Sequence, residues 1–447
     1  MTEYGELKGH VFYRRMAHKR PMISHSEGIY LFDTQGRRYI DASGGPIVVN
    51  VGHGVEEIVQ TMAEQARQAA YVHATMFTSE PIEAYSAALA EIVPLDNPRF
   101  FFLASGSEAV ETAVKFARQV QVDRGEPGRY RVIARWHSYH GTTLGALAVS
   151  GRPGLRQLFQ PMMADMPHIP PPYCYRCPFG AKYPACGLAC AHALEEAVKI
   201  NGRETVAAFI AEPVSGASLA AAVPPNEYWP LVRQICDHYG LLLIADEVMT
   251  GFGRTGRWFG MHHWGVQPDV VTMAKGAGGG YFPLSITAVK TADVQTIRTA
   301  RGDFVHGGTF SHHAVAAATG LAVLKYLQKH NLVDAARRQG EKLGQKLHAA
   351  LGDHPHVGDI RGRGLMWGLE FVADRDGKTP FPAARGVAKK IGDAAFERGL
   401  IVYPSSGNAD GVNGDQVMVA PPFIVTDDQL DEIVGLLVEA VSAVIGD

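Results

Sequence analysis

Short apolar runs and amphipathic stretches alternate along most of this chain. The runs RFFFLA (99–104), YRVIAR (130–135), VAAFIA (206–211), LLLIA (241–245), VVTM (270–273) and LSITAV (284–289) read as buried strands. Helical periodicity covers 55–70, 82–92 and most of the gaps between those strands. Such alternation predicts an α/β fold with a mostly parallel sheet covered on both faces. Ahead of it, 28–41 reads as a hairpin turning at Gln35-Gly36. Behind it, 312–350 is mainly helical. Segments 357–372, 399–403 and 416–420, with a helix over 427–445, predict a smaller α+β lobe. The Pro-rich stretch 167–184 is the one long irregular segment, and long loops are usually functional or mobile. There is no internal repeat.

Composition narrows the picture. No apolar run nears the roughly 20 residues of a spanning helix. The first twenty residues are mixed and charged, without the apolar core of a signal peptide, so a cytoplasmic protein is expected. Lys plus Arg is 42 and Asp plus Glu is 45, a net charge of −3, which provides no global basic field for nucleic acid or anionic lipid. Glycine, 49 of 447 residues, is about 11% against a usual share of about 7%, which points to many tight turns.

In a sheet of this kind ligands bind beyond the carboxyl ends of the strands, so the residues after each strand matter most. After FFFLA comes Ser105-Gly106-Ser107-Glu108 and a helix. Small residues, hydroxyls and a helix N-terminus suit a phosphate, and they equally suit an ordinary capping box. After LLLIA come Asp246 and Glu247, two acids that need partners if buried; a structural ion pair is the alternative. The following Gly251-x-Gly253-x-x-Gly256 matches a dinucleotide fingerprint in spacing, yet no small-residue helix follows it. After VVTM comes Ala274-Lys275-Gly276. A lysine there is either a desolvated nucleophilic amine or one snorkelling to solvent; its glycines follow it, unlike those of a Walker loop. With the aromatic turn Trp136–Gly141, these signals form a set: an anion cradle, a ring to stack on, a carboxylate and an amine. A phosphorylated pyridine aldehyde requires that set.

At this point the chain resembles the class III pyridoxal-phosphate aminotransferases of fold type I, the ω-transaminase group. The likeness spans nearly the whole chain. It rests on LLIADEVMTGFGRTG, PDVVTMAKG, SGSEAVETAVKFAR, SYHGTT, AEPVSG and HGGTFSHHAVAAA, in that family's order along the fold. The resemblance implies a seven-stranded, mostly parallel sheet in a pyridoxal 5'-phosphate-binding large domain (55–311). It implies a small α+β domain drawn from 1–54 and 312–447. It assigns Lys275 as the lysine that holds the cofactor and shuttles the proton, with Asp246 on the pyridine nitrogen. Ser105, Gly106 and Ser107 become the phosphate cradle, and Tyr139 and Val248 flank the ring. His140 and Gly141 complete the family turn, and Glu212 lies near the phenolic oxygen. Thr309 would reach the phosphate of the neighbouring subunit, which makes the enzyme a homodimer, or a tetramer, with a shared active site. Ile47, Phe77, Tyr139, Ala217 and Tyr403 are expected to line the substrate pocket.

The implied activity is transfer of an amino group from an amine or ω-amino acid to a keto acid, pyruvate first, in two half-reactions. Decarboxylases and aminomutases of the same fold are the nearest alternatives. A nicotinamide-dependent oxidoreductase using Gly251–Gly256 and a non-catalytic binding protein are more distant ones. Two departures bear on substrate: Tyr403 stands where many ω-transaminases carry a carboxylate-binding Arg, and Ile47 replaces a pocket aromatic. One feature has no counterpart in the family pattern. Cys174, Cys177, Cys186 and Cys190 follow C-x2-C-x8-C-x3-C, which suits a tetrahedral Zn²⁺ site, packing thiols or disulfides. His262-His263 are expected to be structural, and His312 to shape the dimer site.

Overall fold

The computed structural model describes residues 10–16 and 20–446. Three strands open the described chain: β1 (Ile23–Glu27), β2 (Tyr30–Asp33) and β3 (Arg38–Asp41). The expected hairpin is β2–β3, with Leu31 opposite Tyr39; β1, which pairs on its outer edge, carries no apolar alternation to announce it.

Seven strands then make the large sheet: β4 (Pro98–Leu103), β5 (Arg131–Arg135), β6 (His168–Ile169), β7 (Val206–Ala211), β8 (Leu242–Asp246), β9 (Val270–Met273) and β10 (Ser285–Lys290). Their order is β4-β10-β9-β8-β7-β5-β6. Only β10 runs antiparallel to its neighbours; the others are parallel, as the β–α alternation predicts. Alternate residues feed two cores. Val132, Ala208, Ile210, Leu242 and Ile244 pack with Val110, Phe116 and Val120 of the helix Gly106–Asp123. Ile133, Phe209, Leu243 and Ala245 pack on the other face against Leu194, Val198, Trp229 and Val232. Each of the Val, Leu, Ile and Phe side chains among them contributes about 1.5–3 kcal/mol by leaving water.

Five strands complete the fold: β11 (Val357–Gly362), β12 (Trp367–Phe371), β13 (Leu400–Ile401), β14 (Tyr403–Ser406) and β15 (Asp415–Val419). They form two small sheets. One is antiparallel, in the order β11-β12-β15-β14. The other, β1-β2-β3-β13, joins the two ends of the chain, with Ile40 beside Leu400 and Asp41 beside Ile401 in parallel. A helix at Val387–Glu397, absent from the sequence reading, packs its Val387, Ile391 and Ala395 face into this lobe. The closing helix Asp427–Ile445 starts from a capping box of Thr426 and Gln429. No helix among the described residues is long and apolar enough to cross a membrane.

The small lobe also braces the large one. Ser405 Oγ and Gln416 Nε2 donate to the Ala217 carbonyl at 2.8 and 3.0 Å, and Gln416 also reaches the Ser218 carbonyl at 2.9 Å. The loop after β7 is thereby fixed from outside its own sheet.

Candidate active site

The carboxyl ends of β4, β5, β7, β8 and β9 open on one cavity of about 290 Å³. Ser105, Gly106, Ser107, Tyr139, His140, Gly141, Glu212, Ala217, Asp246, Val248 and Lys275 all line it. One edge of one sheet therefore gathers residues spread over 170 positions of sequence.

At the β4 end the capping box of the sequence expectation is present. Ser105 caps the helix through a full capping box: its Oγ accepts from the Glu108 amide at 3.3 Å, and Glu108 accepts from the Ser105 amide at 2.7 Å. The first helical turn still presents amides and positive partial charge to the cavity. Two glycines keep it open. A Cβ on Gly106 would come within 3.2 Å of Val248. A Cβ on Gly141, whose φ is +132°, would come within 2.5 Å of Ser107 Oγ. The Thr142 amide donates to the same Oγ at 3.1 Å.

At the β8 end, Asp246 and Glu247 diverge, as alternation along a strand requires. Asp246, 3% exposed, accepts from Thr272 Oγ1 and the Val248 amide, each at 3.1 Å. Its other oxygen lies 2.6 Å from His140 Nδ1. Glu247 turns away and accepts from the amides of Gly260 and Met261, both at 2.8 Å, and from the Thr250 hydroxyl. Burial pushes Glu247 up to about 7. It ties down a loop and belongs to no site.

Lys275 follows β9 in the left-handed region, φ 49°, a conformation that costs energy for a side chain with a Cβ and places the residue at the strand mouth. Burial holds its amine down to about 8, opposed by the negative charges of Asp246 and Glu212, while the Arg254 guanidinium pushes in the same direction as burial. Arg254 is buried on three carbonyls, those of Leu365, Pro421 and Val49. Glu212, at the β7 end, is raised above the ordinary carboxylate range by burial. Its Oε2 lies 3.7 Å from Arg135 and has no hydrogen-bond partner among the described residues.

Several expected residues stand elsewhere. Ile47 is buried in an apolar cluster with Ala217, Met366, Met418 and partly buried Met249 and Tyr403; its neighbour Val48 is the one that lines the Lys275 cavity. Tyr403 lines an adjoining cavity of about 750 Å³. Phe77, 65% exposed, lines a third cavity with Ile82 and His312, whose lining does not include Lys275. Thr309 is exposed and outside the Lys275 cavity; its carbonyl accepts from Tyr71 at 2.8 Å. His262 and His263 bond the Phe259 amide and the Thr255 carbonyl. His312 packs edge-on against Phe101.

The glycine fingerprint has a packing role instead of a nucleotide. A Cβ on Gly253 would meet Phe423 at 2.9 Å, and one on Gly256 would meet Arg337 at 2.9 Å, so both admit the small lobe. The four clustered cysteines do share one narrow cavity, of about 20 Å³, and all are free thiols. Among the described residues, however, no three His, Cys, Asp or Glu side chains are arranged to hold a metal ion. Thr272 and Arg135 were not read from sequence. Thr272 carried a signal, a hydroxyl three residues before the lysine on its strand; Arg135 carried none.

A capped helix N-terminus, an oriented carboxylate, a buried acid with one oxygen left without a hydrogen bond and a lysine of lowered basicity, on this fold, define a cofactor-dependent group-transfer enzyme. The class III aminotransferase profile matches residues 12–441, and the chain belongs to that family, whose members are pyridoxal-phosphate-dependent transaminases. Among its relatives is the putrescine–pyruvate aminotransferase of Pseudomonas aeruginosa, 35% identical over 416 residues, covering 93% of this chain and 89% of that one. Among solved structures, a thermostable (S)-enantioselective omega-transaminase of Thermomicrobium roseum superimposes with TM-score 0.89 at 36% identity, covering 96% of this chain and 94% of that one. The pyridoxamine-phosphate-bound aminotransferase of Vibrio fluvialis gives TM-score 0.90 at 30% identity, over 96% and 93%.

Proposed function

We propose that the enzyme transfers an amino group from an amine or ω-amino acid to a keto acid, with pyruvate as the principal acceptor. The observation that carries this reading is the convergence of Lys275, Asp246 and Glu212 on one cavity floored by the Ser105–Ser107 turn. Pyridoxal 5'-phosphate, when bound, supplies a protonated ring that takes up electrons from the substrate carbon.

The residues present fit that group. The open first turn at Ser105–Ser107, kept clear by Gly106 and Gly141, suits its phosphate. Asp246, held by Thr272, Val248 and His140, is oriented to keep a ring nitrogen protonated. Glu212 Oε2 has hydrogen-bonding capacity left for a phenolic oxygen. Tyr139 and Val248 offer an aromatic face and an aliphatic one. Lys275, partly neutral near physiological pH, accepts a proton at Nζ and returns it to a carbon on the other side of the reacting bond.

The protein is read as a homodimer that shares its sites. Tyr71, Met76, Phe77, Val305 and Phe310 are all large apolar side chains left exposed on one subunit. Tyr71 packs edge-on to Phe310 at 5.9 Å, which joins the two segments into one patch beside Thr309. A patch of that character fits a second copy better than solvent. Seated there, Thr309 would face the partner's phosphate cradle, and Phe77 the partner's pocket.

Because a relative is named for putrescine, diamines lead the donor panel, followed by β-alanine, 4-aminobutyrate, taurine and aryl amines, each with pyruvate, 2-oxoglutarate and glyoxylate. Amino transfer without CO₂ release is expected; CO₂ release without transfer indicates a decarboxylase. Lys275→Ala is expected to abolish turnover and the visible absorbance of the lysine-bound cofactor. Wild-type rate and spectrum in that variant would exclude the mechanism.

A further inference from the structure

The cavity of about 750 Å³ outside Tyr139 is unusually cationic for a protein of net charge −3. Arg14, Arg15 and Arg152 line it, together with His137, Tyr403 and Asp41. Asp41 is already engaged, by the Ser43 hydroxyl at 3.2 Å and His53 at 3.3 Å. Asp410, close enough to act on His137, accepts from the amides of Val412 and Asn413 at 2.9 and 2.6 Å. Arg152 forms no ion pair among the described residues; its guanidinium reaches only the Ser406 carbonyl, at 3.5 Å.

The backbone fixes Arg152 beside the turn that carries Tyr139 into the reaction cavity. Its neighbour Gly151 crosses the Trp136–Tyr139 turn so closely that a Cβ there would stand 2.0 Å from the Arg135 carbonyl. The Gly151 amide donates to the Ser138 carbonyl at 3.1 Å, and the His137 amide donates to the Gly151 carbonyl at 2.8 Å. Arg152 is therefore fixed one residue beyond a clamp on the turn that presents Tyr139. Its charge and that of Arg14 both act on Tyr139, as does Tyr403. Arg14 and Arg15 lie on an exposed segment, whereas Arg152 is half-buried, so Arg152 is the better-positioned of the three.

We propose that Arg152 is a specificity-determining residue. It binds the carboxylate of substrates that carry this group several atoms from the reacting carbon and extend past Tyr139 into the outer cavity. The substrate class is then ω-amino acids and the matching semialdehydes. This inference rests on the transaminase reading above and supplies the cation that Tyr403 does not.

The test uses matched pairs on the holoenzyme: 4-aminobutyrate against butylamine as donors, and succinic semialdehyde against butanal as acceptors. Members of each pair differ only in the terminal carboxylate. The wild type is expected to favour the carboxylates. Arg152→Met is expected to lower kcat/KM for the carboxylates by roughly 10- to 100-fold, the range of a charge-assisted hydrogen-bonded pair. It should leave butylamine and butanal within about threefold of wild type. Arg152→Lys should recover part of the preference, and unchanged cofactor absorbance in both variants shows that the site is intact. A wild type indifferent to the carboxylate, or an Arg152→Met variant with the wild-type ratio, overturns the anchor alone. A wild-type holoenzyme that transfers no amino group between any donor and acceptor overturns the transaminase reading and the anchor with it.

Discussion

Lys275 offers a quantitative test of how burial prepares this site. Its amine titrates near 8 instead of the ordinary 10.5. That lowering makes the charged form about 3 kcal/mol less favourable in the fold than in water. At pH 7.5 about a quarter of such amines are neutral, against about one in a thousand for an unperturbed lysine. That is a gain of roughly two orders of magnitude in the form able to attack a carbonyl. The sign for stability follows. The unfolded chain holds this proton more tightly, so the burial penalty is present below about pH 8 and disappears as pH rises to 10.5. The perturbation is Asp246→Asn. Asp246 is the first of the two acids that oppose burial, so its neutralisation should move the Lys275 midpoint below 8. The assay is brief acetic anhydride labelling of cofactor-free enzyme from pH 6 to 11, with the Lys275 peptide quantified by mass spectrometry against exposed Lys325. A wild-type midpoint at 10 or above, or an upward shift in Asp246→Asn, would refute the argument.

Gly141→Ala forces a Cβ into contact with Ser107 at a φ of +132°, at a cost of about 1–3 kcal/mol, and should weaken cofactor binding by roughly 10- to 100-fold; absorbance titration with an affinity equal to wild type would contradict it. Phe310→Asp places a charge in the apolar patch and should raise the dimer dissociation constant more than about tenfold in sedimentation equilibrium, with turnover falling alongside; an unchanged dimer would move the interface elsewhere on the surface.

Pattern alone located the long elements because their periods are strong. The runs at 206–211 and 241–245 are continuously apolar, and the helix at 106–123 has a capping box before an amphipathic face. Elements without a period stayed hidden: β6 has two residues and lies inside the Pro-rich segment. The helix at 387–397 does have its apolar residues at a spacing of four, and glycine and paired lysines obscured them. Within the site, residues whose chemistry sits at strand ends were readable, as with Asp246 and Lys275. Arg152 was not, because its position depends on Gly151 lying against a turn formed 15 residues earlier, a contact no linear pattern encodes. The same applies to Gly253 and Gly256, whose spacing imitates a nucleotide motif and whose neighbours in space are Phe423 and Arg337.

The pairing of Ile40 with Leu400 also sets a timetable for synthesis. At about 5–20 residues per second, a ribosome needs roughly 20–70 s to make the 360 residues between them. Throughout that interval β3 waits with an open edge, while the large sheet, finished by residue 290, is free to assemble. Such an edge is a template for wrong partners. Nascent chains stalled before residue 400 should therefore be those most dependent on a chaperone, and a permuted gene that brings residues 400 and 40 close in time should relieve the dependence.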